Sequence, residues 1–81
     1  MTKNEGTIWV AQINDTMERA PKGSEWLHKK SGGLYTVVGY TIIESTWELG
    51  IVYEAPLRFP LPITRAAGEF FDGRFERQGD N

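Results

Sequence analysis

The sequence predicts an all-β or mainly β protein, a small barrel or a curled antiparallel sheet with at most one short helical turn. Three observations carry this expectation. Trp47, Leu49, Ile51, Tyr53 and Ala55 alternate with Glu48, Gly50, Val52 and Glu54, the period of a strand with one buried face. Leu34–Ile43 is a second, longer β-prone run rich in Val, Ile, Thr and Tyr. Turn signals built from Gly, Pro, Asp and Asn separate the remaining short runs. Closing such a sheet on itself hides its edges in a chain too short to cover them with helices.

Each element follows from its residues. Thr7–Ile13 joins β-branched residues to a Trp and reads as a strand before an Asn14-Asp15 turn. The alternative is a short helix continuing through Met17. Pro21-Lys22-Gly23-Ser24 is a loop. Glu25–Lys30 is a short strand ending in the Ser31-Gly32-Gly33 turn. Leu34–Ile43 has apolar residues on both faces, which predicts a central strand covered on both sides. Gly39 in its middle marks a bend or bulge.

Glu44-Ser45-Thr46 is the hairpin loop into the alternating strand, which is read as starting at Trp47 with Trp47, Leu49, Ile51 and Tyr53 buried on one side. A one-residue slip would bury Glu48 and Glu54 unpaired. Pro56, Pro60 and Pro62 then enforce an extended loop or sheet edge. Ile63-Thr64-Arg65 is a further short strand, and Ala66–Phe71 a helical turn with Thr64 as its cap. Asp72-Gly73 turns the chain into a closing strand, Arg74–Arg77. One domain results: residues 1–22 as an N-terminal extension, 23–77 as the β core and 78–81 as a tail.

Composition removes several function classes. The chain has 81 residues, 40% of them hydrophobic and 25% charged, and no cysteine. A domain this small buries roughly 60% of its unfolded surface, and here it does so without disulfide or thiolate-metal support. No apolar run approaches the ~20 residues of a membrane span, and Met-Thr-Lys-Asn-Glu-Gly reads as no signal peptide. Cytoplasmic location is the expectation. The net charge of -2, with Lys and Arg scattered, lacks the basic stripe of a nucleic-acid binder, and neither nucleic-acid nor membrane partners are expected.

From Gly23 onward, several short motifs fall in order: Gly23, Trp26, His28, Lys30 (or Lys29), Gly32 or Gly33, Tyr35-Thr36-Val37, Val52-Tyr53, Arg65, Phe70 or Phe71, and Arg74-Phe75. In this order they resemble the family of small bacterial and phage proteins named domain of unknown function 1653, over about two thirds of the chain. The chain departs from that pattern at Pro62-Ile63-Thr64 and at Ala66, where the family carries a Trp-x-Arg-Pro element. The resemblance implies an SH3-like barrel in a bacterial host cell, and it singles out Arg65 as the best-matching charged position.

Six side chains are candidates for binding: Arg65, His28, Trp47, Tyr53, Trp26 and Phe59. Arg65 offers a planar fork of donors for a carboxylate or phosphate, or else an ion pair with Glu54 or Glu69 that pins the closing strand. His28 is the single histidine; it acts as a base beside Glu44 or Glu48, or is simply hydrogen-bonded. Trp26, Trp47 and Tyr53 line one face as a stacking surface, or form the core of a small barrel. Phe59, between prolines, is expected to be partly exposed on a rigid loop. No phosphate loop, metal-ligand set or nucleophile–base–acid set is present in the sequence. The expectation is therefore a non-enzymatic binding protein without cofactor or metal; the family resemblance implies that it is of the phage accessory type and blocks or sequesters a host protein. The alternative is a β-barrel that binds a small anionic or nucleotide-like ligand near Arg65 and His28. A homodimer is expected, because a small core and three Trp leave aromatic area to cover.

Overall fold

The structure, a computed structural model, describes residues 5–79. It is mainly β: five antiparallel strands form one sheet in the order β4-β3-β2-β1-β5. The strands are β1 (Glu25–His28), β2 (Gly33–Ile43), β3 (Glu48–Glu54), β4 (Ile63–Ala66) and β5 (Phe75–Gln78). Helix α1 (Glu5–Arg19) precedes them, and α2 (Ala67–Glu69) with a π-helical turn (Phe70–Arg74) links β4 to β5. The sheet curls: β4 and β5 lie at its two ends, yet the Arg65 guanidinium carbon of β4 is 5.5 Å from the ring centre of Phe75 in β5.

Register explains which side chains meet. In β3 the alternation holds for Leu49, Ile51 and Tyr53, all buried. Pairing sets Val37 and Ile63 beside Tyr53, and Tyr40 and Arg65 beside Ile51, so all these residues share the inner face. At the other end, Trp26 pairs with Tyr35, and His28 with Phe75. The register shifts between Val37 and Gly39, the bulge expected at that glycine. Phe70, Ile51 and Val37 are the largest side chains fully enclosed by this arrangement. Gly73 takes φ 108° in the turn before β5, a conformation open to glycine without strain.

Four expectations need correction. The N-terminal run is a helix of 15 residues, longer than the single helical turn expected anywhere in the chain. From Trp9 onward its buried or half-buried positions are Trp9, Ile13, Thr16 and Ala20 (the last just past its end), the i, i+4, i+7, i+11 spacing of one helix face. Sheet propensity of the β-branched residues is outweighed by packing of that face. Trp47 lies before β3, in the hairpin loop, with φ 57° and 65% exposure. β2 is covered on its inner face only, for Leu34 and Val38 remain exposed. Thr64 does not cap α2: the cap position is Ala66, and no side chain bonds there.

α1 is tied to the sheet at its C-terminal end. The Tyr40 hydroxyl donates to the Ala20 carbonyl at 2.7 Å, and Ala20 and Thr16 are buried beneath it. Burial raises the Tyr40 pKa above its ordinary 10.0, partly opposed by a backbone hydrogen bond from Lys22. A raised folded-state pKa means that the neutral phenol is favoured by folding. Its contribution is complete below the unfolded value of 10.0 and is lost as pH rises through the folded one. Urea midpoints at about pH 8 and about pH 11 should therefore fall further for the wild type than for Tyr40→Phe. Equal falls would show that the tether does not titrate.

Candidate functional site

Pairing gathers four of the six candidate side chains on the inner face around one ring, Phe75, and its stacked neighbour Phe70. Phe75 and Phe70 lie 4.5 Å apart at 16°. Tyr53 meets Phe75 at 5.5 Å, and the His28 ring stands 4.9 Å from it. Trp26 presents its edge to Phe70 at 4.9 Å. Tyr53 and Trp26 are core residues. The Trp26 indole N–H donates to Ser24 Oγ at 3.0 Å, which satisfies its polar handle inside the core.

Arg65 reaches the same cluster from the sheet's end. Its Nε donates to Tyr53 Oη at 3.2 Å, and Nη1 lies 3.7 Å from Glu69 Oε1. Of the two ion-pair partners expected, Glu69 is the one found. The bond to Tyr53 is the main cause of an Arg65 pKa above its ordinary value; burial opposes it, and the Tyr53 oxygen, Glu69 and Asp72 add to it. Arg65 is therefore a permanent cation whose side chain is 27% exposed, with one edge engaged by the fold.

His28 sits at the end of β1, half-buried, with Nδ1 2.8 Å from Ser31 Oγ. The Ser31 hydroxyl in turn accepts from the Gly33 N–H at 3.2 Å, so this network shapes the β1–β2 turn. Neither Glu44 nor Glu48 appears among its hydrogen-bond partners. Among the described residues no group of three His, Cys, Asp or Glu side chains is placed to hold a metal ion.

Trp47 and Phe59 are not part of this cluster's centre. Trp47 lines a separate cleft with α1 and α2 residues. Phe59 lies on the loop from Ala55 to Pro62, 38% exposed as the prolines suggested, and stacks on Tyr35 at 6.4 Å and 15°. The Arg58 and Phe59 amides both donate to the Ala55 carbonyl, at 2.8 and 2.9 Å, which holds the loop's first turn. Leu57 and Leu61 flank Phe59 and are 102% and 73% exposed. In the sequence Phe59 alone stands out in this loop; the signal for its neighbours is the apolar residue at every second position of a proline-bounded segment.

The arrangement thus separates a buried aromatic core from two displayed surfaces, the Leu57–Leu61 loop and the Trp47 cleft. No helix among the described residues is long and apolar enough to cross a membrane. No family model, no curated protein and no solved structure matches this chain.

Proposed function

We propose that this chain is a small non-enzymatic binding protein that docks on another protein through the loop between β3 and β4. The observation that carries this reading is the display of Leu57, Phe59 and Leu61 on a loop bounded by Pro56, Pro60 and Pro62. A fully exposed Leu gains nothing for the fold, whereas a loop stiffened by proline loses little entropy when it docks. The resemblance in the β core adds the biological setting: a phage-type accessory protein in the bacterial cytoplasm whose partner is a host protein that it blocks. The homodimer belongs to the same proposal, because Leu34, 56% exposed on the outer face beside its cross-strand neighbour Leu27, offers apolar area to a second copy.

Affinity capture from bacterial lysate, run in parallel with Leu57→Ser/Leu61→Ser, tests the loop. One host protein retained by the wild type and lost from the double variant is the expected result. Unchanged capture would remove the loop from the reading. Sedimentation of the same samples without lysate distinguishes a second copy from a host partner, and a monomer at high micromolar concentration counts against the dimer.

A second reading, a small anionic ligand near Arg65 and His28, is favoured by one observation: both side chains pack against Phe75, at 5.5 and 4.9 Å. It competes with the use of Arg65 by Tyr53 and Glu69, and the Arg65 variants described below separate the two.

A further inference from the structure

We propose that the cleft beside Trp47 receives a basic side chain, arginine or lysine, of a partner protein. The inference rests on the reading of this chain as a binding protein and names a second contact and its chemistry.

Trp47 stands where neither local nor core energetics place a tryptophan. The hairpin loop closes with the Thr46 and Trp47 amides donating to the Ile43 carbonyl, at 3.3 and 2.6 Å. The last loop position takes φ 57°. Among the described residues Trp47 is the one non-glycine with positive φ. There an L-residue's Cβ crowds its own backbone, and Gly or Asn is the usual occupant. At 65% exposure its indole does not repay that strain by burial. Strain held at an exposed aromatic points to use of the side chain.

The surroundings give the use. Trp47 lines a cleft of about 350 Å³ together with Asp15 and Arg19 of α1, Glu48, Gly68 and Phe71. Arg19 is already committed: its guanidinium carbon lies 3.8 Å from the Phe71 ring centre and Nη1 lies 3.4 Å from Asp15 Oδ2. Its charge is thereby matched. No ion pair between Glu48 and a cation is found among the described residues, so the lining, which holds Asp15, Arg19, Glu48 and the exposed Trp47, carries one negative charge beyond the matched pair. Gly68 has no atom near its missing Cβ, which leaves that wall open.

An indole face attracts a cation more strongly than any other side-chain ring, and a neighbouring carboxylate adds a charge-assisted hydrogen bond. A flexible basic side chain presents both a cation and N–H donors, and so satisfies Trp47 and Glu48 together. An anionic group would find its one candidate partner, Arg19, held by Asp15 and Phe71.

The test is a millimolar NMR titration of the intact protein with a blocked Gly-Arg-Gly peptide, read at the Trp47 indole N–H and the Glu48 and Gly68 amides. A blocked Gly-Asp-Gly peptide serves as the control. Saturable shifts at these positions with the basic peptide alone are expected. They should weaken about tenfold in Glu48→Gln, the loss of one charged contact, and vanish in Trp47→Gly. Relief of the left-handed strain should raise the melting temperature of Trp47→Gly by roughly 4–8 °C, which keeps loss of binding apart from loss of fold. Shifts with the acidic peptide, equal affinity of Glu48→Gln, no shift at the cleft, or a Trp47→Gly protein less stable than the wild type would each overturn the proposal. Failure here leaves the Leu57–Leu61 reading standing, and failure of lysate capture leaves this titration interpretable.

Discussion

Replacing Phe70 with alanine is expected to destabilise the fold by ~3–5 kcal/mol, the range for deleting a large aromatic side chain from a packed core. Phe70 is fully buried and sits at the crossing of four rings. It stacks on Phe75 and meets Trp26, Tyr53 and Phe71 at 4.9, 5.4 and 5.5 Å. It also lies in the π-helical turn that carries the chain from α2 towards β5, so the same side chain packs the core and anchors that connection. A domain of this length holds about 4–12 kcal/mol in all, and the variant should therefore be largely unfolded or melt far below the wild type. Urea titration followed by circular dichroism measures the loss. A cost below ~1 kcal/mol would mean that the ring cluster is not the core.

Arg65→Met is expected to cost ~1–3 kcal/mol, which is more than an exposed arginine contributes through an ion pair. The reason is Tyr53, only 2% exposed, whose hydroxyl accepts from Arg65 Nε. Methionine keeps much of the apolar stem against Phe75 but leaves the phenol without that partner. The Glu69 pair adds little, because its carboxylate is 57% exposed and screened by solvent. A double-mutant cycle with Tyr53→Phe isolates the bond: removing both groups should be less costly than the sum of the single losses. Arg65→Lys retains the charge but not the planar fork, and should fall between wild type and Met. Zero coupling, with both Arg65 variants as stable as the wild type, would free Arg65 from this structural duty. The anionic-ligand reading would then gain, and titration with inorganic phosphate against the Arg65→Lys protein would decide it.

Much of the sheet was legible because strand period and turn chemistry are local. Leu49, Ile51 and Tyr53 alternate in the sequence and are buried together in the fold. Gly39 marks the bulge, Gly73 the turn into β5, and the prolines the exposed loop. Each signal acts within a few residues, where backbone sterics decide. The N-terminal helix was legible in part. Trp9 and Ile13 carry its apolar period, but Thr16 and Ala20, which complete the buried face, are small or polar and do not read as core in a linear sequence.

The site was not legible in the same way, because its geometry depends on pairs far apart in the chain. The sequence determined that Arg65, Tyr53 and His28 lie on strands and that Phe59 sits on a stiff loop; that His28 ends its strand, two residues before the expected Lys30, is seen only in the fold. Only the β3–β4 and β1–β5 pairings decided that Arg65 faces inward to Tyr53 and that His28 meets Phe75. Trp47 shows the limit most clearly. Local alternation assigns it to the buried face of β3, but the hairpin must reverse within four residues, and the closing position takes the left-handed backbone that turns its indole out to the cleft. Periodicity describes a strand only while the strand continues. Where it ends is set by the register of its partner, here Ile43 opposite Glu48, and that is a tertiary fact.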